Sequence, residues 1–446
     1  MLVEERKSEH AGIDLARLVR PDEGEVSRRI FVDEDVNRLE LERIFARSWL
    51  FVAHESEIPT SGDYVTRWTG ADPVIVARTE SGEIKVFLNT CRHRGMQVCR
   101  ADLGNTSHFR CPYHGWTYKN TGALIGVPAH KEAYGGRLDR SQLGLVEPPQ
   151  LEVRHGLVFV NWDEDAPGLE HYLGDIRWYL DVLFGKTDAG VEVVGTPQRW
   201  VVPMNWKLGA DNFSGDGYHV AITHRHALEL GLFGGGSLIG HTIHTEQGHT
   251  CRIQNPPPGI ELPPYLALPD EVLEPMRRNL TPEQQSVIEQ ITVMHGNVFP
   301  NLSFVDSIFT TTGDPALPPI SFLNVRVWQP KGATETEIWS WAFVPKEAPE
   351  WWKEASRVTF VRTHGVGGTF DADDLEVWTN ITGSNRGVVA RRETFNYEMG
   401  LFHEVDESWP GPGIAYAADY NEANQRAFYR QWLRTMQAND ESEGPR

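Results

Sequence analysis

After some 30 polar and mixed residues, Val36, Leu39, Ile44, Phe45 and Trp49 recur at helical spacing behind Asp33 and Asp35, whose charges suit a helix N-terminus. This predicts a helix near 33–48. From there to about residue 165 the period shortens to β-rich runs at 74–77, 84–88 (around a Ser81-Gly82 turn) and 156–160, the pattern of a small all-β unit. Residues 172–183 read as a helix; beyond them, strands at 322–328 and 338–343 alternate with helical patterns near 350–362 and 420–435. That mixture predicts a larger α+β domain. Three passages cannot be regular helix or central strand and are read as loops: 256–269 and 315–319, rich in proline, and the Gly234-Gly235-Gly236 cluster. The polar ending, 439–446, reads as a frayed tail.

Composition narrows the function. The 446 residues, 40% hydrophobic and 23% charged, suffice for well-formed cores. Lys plus Arg (42) against Asp plus Glu (62) gives 42 − 62 = −20, the wrong sign for coating nucleic acid or an anionic membrane. No apolar run reaches membrane-spanning length, and the opening MLVEERKSEH is charged where a signal peptide needs an apolar core, so a cytoplasmic location is expected. The glycines lack the Lys-Ser/Thr of a phosphate-binding loop, and no GxGxxG follows a strand. Of four cysteines, Cys91, Cys99 and Cys111 fall within 21 residues, a pattern of metal chemistry rather than disulfides.

Cys91-Arg92-His93 and Cys111-Pro112-Tyr113-His114 place one thiol and one imidazole on each of two loops, 17 residues apart. If the cysteines bind one iron of a [2Fe-2S] cluster and the histidines the other, the cluster is less negative than with four thiolates and its potential is higher. Gly95 and Gly115 permit tight turns there. The alternative for the same residues is structural zinc, although zinc sites more often pair like ligands as Cys-x2-Cys and His-x3-His. Cys99 reads as a small buried hydrophobe.

A second group lies in 212–224, where His219 and His224 are five residues apart. On an ideal helix they would sit about 140° apart, so one must lie at or beyond a helix end. Asp216, three residues before His219, is placed to accept its second ring N–H. Non-haem iron chemistry requires two histidines and a carboxylate with open positions for O2. The third ligand must come from elsewhere, and by composition alone the acidic run at 371–374 is of low specificity.

The motif Cys-x-His-x17-Cys-x2-His, followed by Gly115 and Trp116, resembles that of Rieske ring-hydroxylating oxygenases. Residues 205–224 are similar to the iron-binding segment of the large (alpha) subunits of aromatic-ring dioxygenases of the naphthalene and biphenyl type. The resemblance runs from about residue 20 to 435. It implies an α+β fold: an N-terminal segment (1–46) packed on the catalytic domain, a small all-β Rieske domain (47–165), and a helix-grip catalytic domain with an antiparallel sheet (166–446). It implies a [2Fe-2S] cluster on Cys91, His93, Cys111 and His114, mononuclear iron on His219, His224 and Asp374, and Asp216 as a bridge to a Rieske histidine. In the family that histidine, at position 114, belongs to the neighbouring subunit, so a homotrimer is implied, with or without a small beta subunit.

The same similarity places Asn212, Phe213, Val220, Phe299, His364 and Phe370 in a mostly apolar substrate cavity. His364 departs from the aromatic residue common there in members acting on plain hydrocarbons. Arg225 and Arg392 are candidates for pairing a substrate carboxylate. The expected activity is that of a terminal oxygenase that adds O2 to an aromatic or polycyclic aromatic hydrocarbon to give a cis-dihydrodiol. Its electrons would come from NADH through a reductase and a ferredoxin. The alternatives are a monohydroxylase or demethylase of a substituted aromatic acid, an electron-transfer Rieske protein, and a zinc-stabilised binding module.

Overall fold

The computed structural model describes residues 13–232, 237–259, 262–310 and 318–438. The glycine cluster, the first half of the second proline-rich passage and the C-terminal tail lie outside them.

The β-rich region forms three small antiparallel sheets. One orders Ile84–Leu88, Asp72–Arg78, Asp63–Thr69 and Leu103–Asn105; a second joins Gln150–Arg154 and Leu157–Asn161 to Leu50–His54. The third, Leu124–Gly126, Thr117–Lys119 and His108–Arg110, carries the second Cys/His loop between its first two strands in sequence. Valines and isoleucines alternate inward in these strands, so Val65, Val74, Val76, Val86, Val158 and Val160 form a shared core.

The remainder is built on an antiparallel sheet of nine strands. Its long central strands, Leu302–Phe309, Ile320–Gly332 and Glu335–Pro345, are buried on both faces over most of their length, with polar side chains such as Asn324, Arg326 and Ser340 buried among the apolar ones. Helix Trp206–Gly215 crosses one face and is covered by Ala423–Gln437; Glu350–His364 packs on Ile320–Gly332. Gly209 permits the first crossing: a Cβ there would enter the indole of Trp328.

Several expected elements are shorter than the sequence predicts. The first long helix spans Glu34–Glu40, capped by the Asp33 carboxylate accepting from the amides of Asp35 and Val36, and ends in a π-turn at Leu41–Phe45 rather than running to 48. The helix expected over 172–183 is two, Leu169–Leu173 and Ile176–Phe184, broken where Gly174 takes a positive φ of 50°. Leu15, Val19, Ile30, Phe31, Val36 and Phe45 pack among Trp206, Phe428 and Tyr429, and Glu25–Ser27 pairs with Thr394–Asn396.

Candidate active site

The two Cys/His loops have the same backbone hydrogen bonds. The Cys91 amide donates to the Met96 carbonyl (2.8 Å) and the Gly95 amide to the Cys91 carbonyl (2.9 Å); Cys111 to Trp116 (2.8 Å) and Gly115 to Cys111 (3.0 Å) repeat them. Each turn needs a positive φ, 70° at Gly95 and 74° at Gly115. Both thiols are buried and free of disulfides. The rings of His93 and His114 lie 4.5 Å apart between centroids, Trp116 stacks on His93 at 7°, and the buried His93 Nδ1 has no hydrogen-bond partner.

These donors fit a two-iron cluster better than one zinc ion. Tetrahedral zinc draws its four ligand atoms to within about 4 Å of one another. Among the described residues the only group of three or more His, Cys, Asp or Glu with ligand atoms all within 4.8 Å of one another is elsewhere in the chain. Sequence reasoning missed Tyr118, whose hydroxyl lies 3.3 Å from Cys91 Sγ while accepting the Arg92 amide at 3.0 Å.

The close group is His219, His224 and Asp374, with ligand atoms all within 4.8 Å. His219 Nε2 lies 3.2 Å from His224 Nε2 and 3.5 Å from Asp374 Oδ1, and His224 Nε2 lies 3.3 Å from the same oxygen. Three donors at these separations match one face around a single ion with bonds of about 2.1 Å, as in a two-histidine, one-carboxylate iron site. Helix Trp206–Gly215 ends before Asp216, and the short helix Val220–Thr223 is flanked by His219 and His224. Both histidines therefore sit at helix ends, and the break swings their rings together. Helix Thr369–Asn385 supplies Asp374.

Each ring has a carboxylate on its far side. His219 Nδ1 is 3.3 Å from Asp216 Oδ2, and His224 Nδ1 is 3.1 Å from Asp373 Oδ2. Asp216 is not on a helical turn, as the spacing suggested. Its backbone is extended, and its other oxygen accepts the amides of Tyr218 and His219. Burial opposes charge on both members of the first pair. Nevertheless Asp216 and Asp374 hold the His219 imidazole up at about 9, and His219, its amide and Arg252 hold the Asp216 carboxyl down at about 2.

A cavity opens beside the triad. Asn212, Phe213, Val220, His364 and Phe370 line it, together with Val293, Val305 and Phe309. Phe299 does not: it lies buried beyond strand Val293–Val298 and packs on Phe428, centroids 5.6 Å apart. Nor is the lining as apolar as expected, since Arg252, Gln254, His295 and Ser307 also face it. These four alternate with buried apolar neighbours on sheet strands, so their period gave no hint of a cavity. Arg225 and Arg392 are not in the lining; Arg225 is 73% exposed and pairs with Glu229. His241 pairs with Asp406 at 3.1 Å. It borders a larger cavity of about 770 Å³ whose lining includes none of the triad residues.

The Rieske [2Fe-2S] domain family matches residues 48–147, and the ring hydroxylating alpha subunit (catalytic domain) family matches 169–438. The chain is 38% identical over 452 residues to the biphenyl 2,3-dioxygenase subunit alpha of Rhodococcus jostii (strain RHA1), covering 98% of this chain and 94% of the relative. It is 36% identical to the N,N-dimethyl phenylurea N-demethylase subunit alpha of Sphingobium sp. (strain YBL2), covering 95% and 94%. Among solved structures, the indole-bound naphthalene 1,2-dioxygenase of a Rhodococcus sp. superposes with a TM-score of 0.90 at 48% identity, over 94% of this chain and 95% of that one. A cluster-binding domain, a mononuclear-iron domain and whole-length similarity thus agree, and the chain belongs to the alpha subunits of the Rieske ring-hydroxylating dioxygenases.

Proposed function

We propose that the protein is the terminal oxygenase of a multicomponent system that converts an aromatic or polycyclic aromatic hydrocarbon to a cis-dihydrodiol. The net reaction is arene + O2 + NADH + H⁺ → cis-dihydrodiol + NAD⁺. The observation that carries this reading is the meeting of His219, His224 and Asp374 at one point on the wall of a cavity lined by Phe213, Val220, Phe309 and Phe370.

His219, His224 and Asp374 would hold the mononuclear iron, and Cys91, His93, Cys111 and His114 the cluster; when bound, the first supplies O2 activation and the second one-electron storage. The chain's own residues do the rest. Asp216 and Asp373 each take the far N–H of one imidazole, which fixes its tautomer and presents Nε2 as a donor. The apolar walls orient the ring edge and exclude water. The reducing equivalents come through separate reductase and ferredoxin proteins. His114 of the partner subunit meets Asp216 across a trimer interface, with or without a beta subunit. The chain divides near 46/47 and 165/166, and the enzyme is cytoplasmic.

The test is turnover with a reductase, a ferredoxin and ¹⁸O2. A cis-diol carrying two labelled oxygens is the expected product. One labelled oxygen, or loss of an N-methyl group, would favour the second reading, which the similarity to the phenylurea N-demethylase subunit supports.

A further inference from the structure

We propose that His295 and His364 together form a recognition site for a neutral oxygen acceptor, an ether or carbonyl, on a fused aromatic substrate. This rests on the function proposed above and narrows its substrate class.

Apart from the triad and the residues beside it, five polar side chains line the cavity: Arg252, Gln254, His295, Ser307 and His364. Two of these, Gln254 and Ser307, are satisfied within the chain. Arg252 has its charge met by Asp419 at 2.6 Å, while its buried Nε, packed on Gly217, bonds no described residue. Gln254 Nε2 donates to the Ser237 carbonyl (3.1 Å) and to Asp419 (3.3 Å), and Ser307 Oγ to the Thr292 carbonyl (3.4 Å).

The imidazoles differ. A guanidinium has no lone pair, so in the 3.1 Å contact between Arg252 Nη1 and His295 Nε2 the arginine donates and the ring nitrogen accepts. The His295 ring is therefore neutral with its proton on Nδ1, and that N–H makes no hydrogen bond to any described residue. His364, the last residue of helix Glu350–His364, has its ring stacked on Phe370 at 11° and its backbone carbonyl held by Arg326 Nη2 at 2.8 Å. Its Nδ1 is buried without a partner, and neither ring nitrogen bonds a described residue. Burial first, and then the nearby arginine, keeps each imidazole well below its ordinary pKa.

Two uncharged imidazole N–H donors left unpaired on the cavity wall are costly unless the ligand supplies the acceptor. With Arg252 already neutralised by Asp419, a carboxylate would enter without a counter-charge, which favours a neutral oxygen. A plain hydrocarbon would leave both donors unpaired, and a site built to hydrogen-bond discriminates against the analogue lacking the acceptor.

The experiment is calorimetric binding of 9-fluorenone, fluorene and fluorene-9-carboxylate to the holoenzyme without reductant, with wild type, His364→Phe and His364→Gln. The wild type is expected to bind the ketone about ten-fold tighter than the hydrocarbon. His364→Phe should bring that ratio within about two-fold, and His364→Gln, which keeps an N–H, should preserve much of it. Equal binding of ketone and hydrocarbon by wild type, an unchanged ratio in His364→Phe, or tightest binding of the carboxylate would overturn the proposal. Because no turnover is needed, a ketone preference without dihydroxylation would count against the oxygenase reading alone.

Discussion

Lys207 Nζ lies 2.6 Å from Glu40 Oε1, and neither side chain is exposed to solvent. Glu40 also accepts the indole N–H groups of Trp206 (2.9 Å) and Trp432 (2.8 Å), so one carboxylate ties the N-terminal helix to the helix that leads into the His219–His224 segment and to the C-terminal helix. Removing one partner strands a buried charge, at a cost of about 3–5 kcal/mol. Lys207→Met is expected to lower the melting temperature sharply. Lys207→Met combined with Glu40→Gln should cost less than the two single changes added together, as read by thermal unfolding. Additive losses would show that the pair is not energetically coupled.

Asp216 contacts the His219 ring and also braces the loop through two backbone amides; in the proposed trimer it would link the two metal centres. Asp216→Asn keeps the shape and one acceptor oxygen but removes the charge. It should retain iron and the cluster's visible absorbance while product formation falls by at least about 100-fold, measured in one preparation by iron assay, spectrum and turnover. Loss of iron in parallel with activity would instead assign Asp216 to holding His219.

Asp373 meets His224 from the side away from the triad. Replacing such a partner typically weakens metal affinity by about 10–100-fold. Asp373→Ala is therefore expected to need more added Fe(II) for half-maximal loading, with an unaltered cluster signal. An unchanged iron titration would remove Asp373 from the site.

His54, His244 and His249 are buried, and burial holds each imidazole at about 4. His249 shows why: Nδ1 accepts the Phe299 amide at 3.0 Å while Nε2 donates to the Tyr172 carbonyl at 2.8 Å, an arrangement open only to the neutral ring. Their folded-state values lie below the unfolded value of about 6.5, so the stability they contribute is complete above that pH and is lost as pH falls towards 4. These three histidines should make the melting temperature drop through this window. His249→Gln should flatten the drop, and an identical slope in that variant would place the proton uptake elsewhere.

Gly209 faces the indole of Trp328, leaving no room for a methyl group. Gly209→Ala is expected to destabilise by about 1–3 kcal/mol through overpacking, despite alanine's better helix propensity, as measured by denaturant unfolding. A stabilised variant would mean that helix and sheet separate more easily than their packing suggests.

Much of this protein was legible before folding. The two-loop cysteine and histidine spacing, the His219/His224 pair and the β-to-α+β change of period are local signals, because ligand type, turn glycines and side-chain alternation are written over a few neighbouring residues. Whole-chain resemblance carried Asp374, which the acidic run alone did not single out. What local pattern could not carry were relations between distant segments. The Glu40–Lys207 tie spans 167 residues, and the Asp373–His224 contact spans 149.

The cavity shows the division most plainly. Sequence similarity placed Phe299 in it, but the turn after strand Val293–Val298 sends that ring into the core against Phe428. Arg252, Gln254, His295 and Ser307 gave no signal as a group, because they are spread over three strands whose other residues are also buried. Their convergence follows from strand register: Arg252 stands opposite His295, and the neighbouring strands bring Gln254 and Ser307 opposite Val293. The sequence by itself thus determined the paired donors at 91–114 and at 219–224, since donor chemistry resides in residue type and short spacing. Only the tertiary structure decided which polar groups face the cavity, since that depends on strand register and on which groups remain unpaired once the sheet has formed.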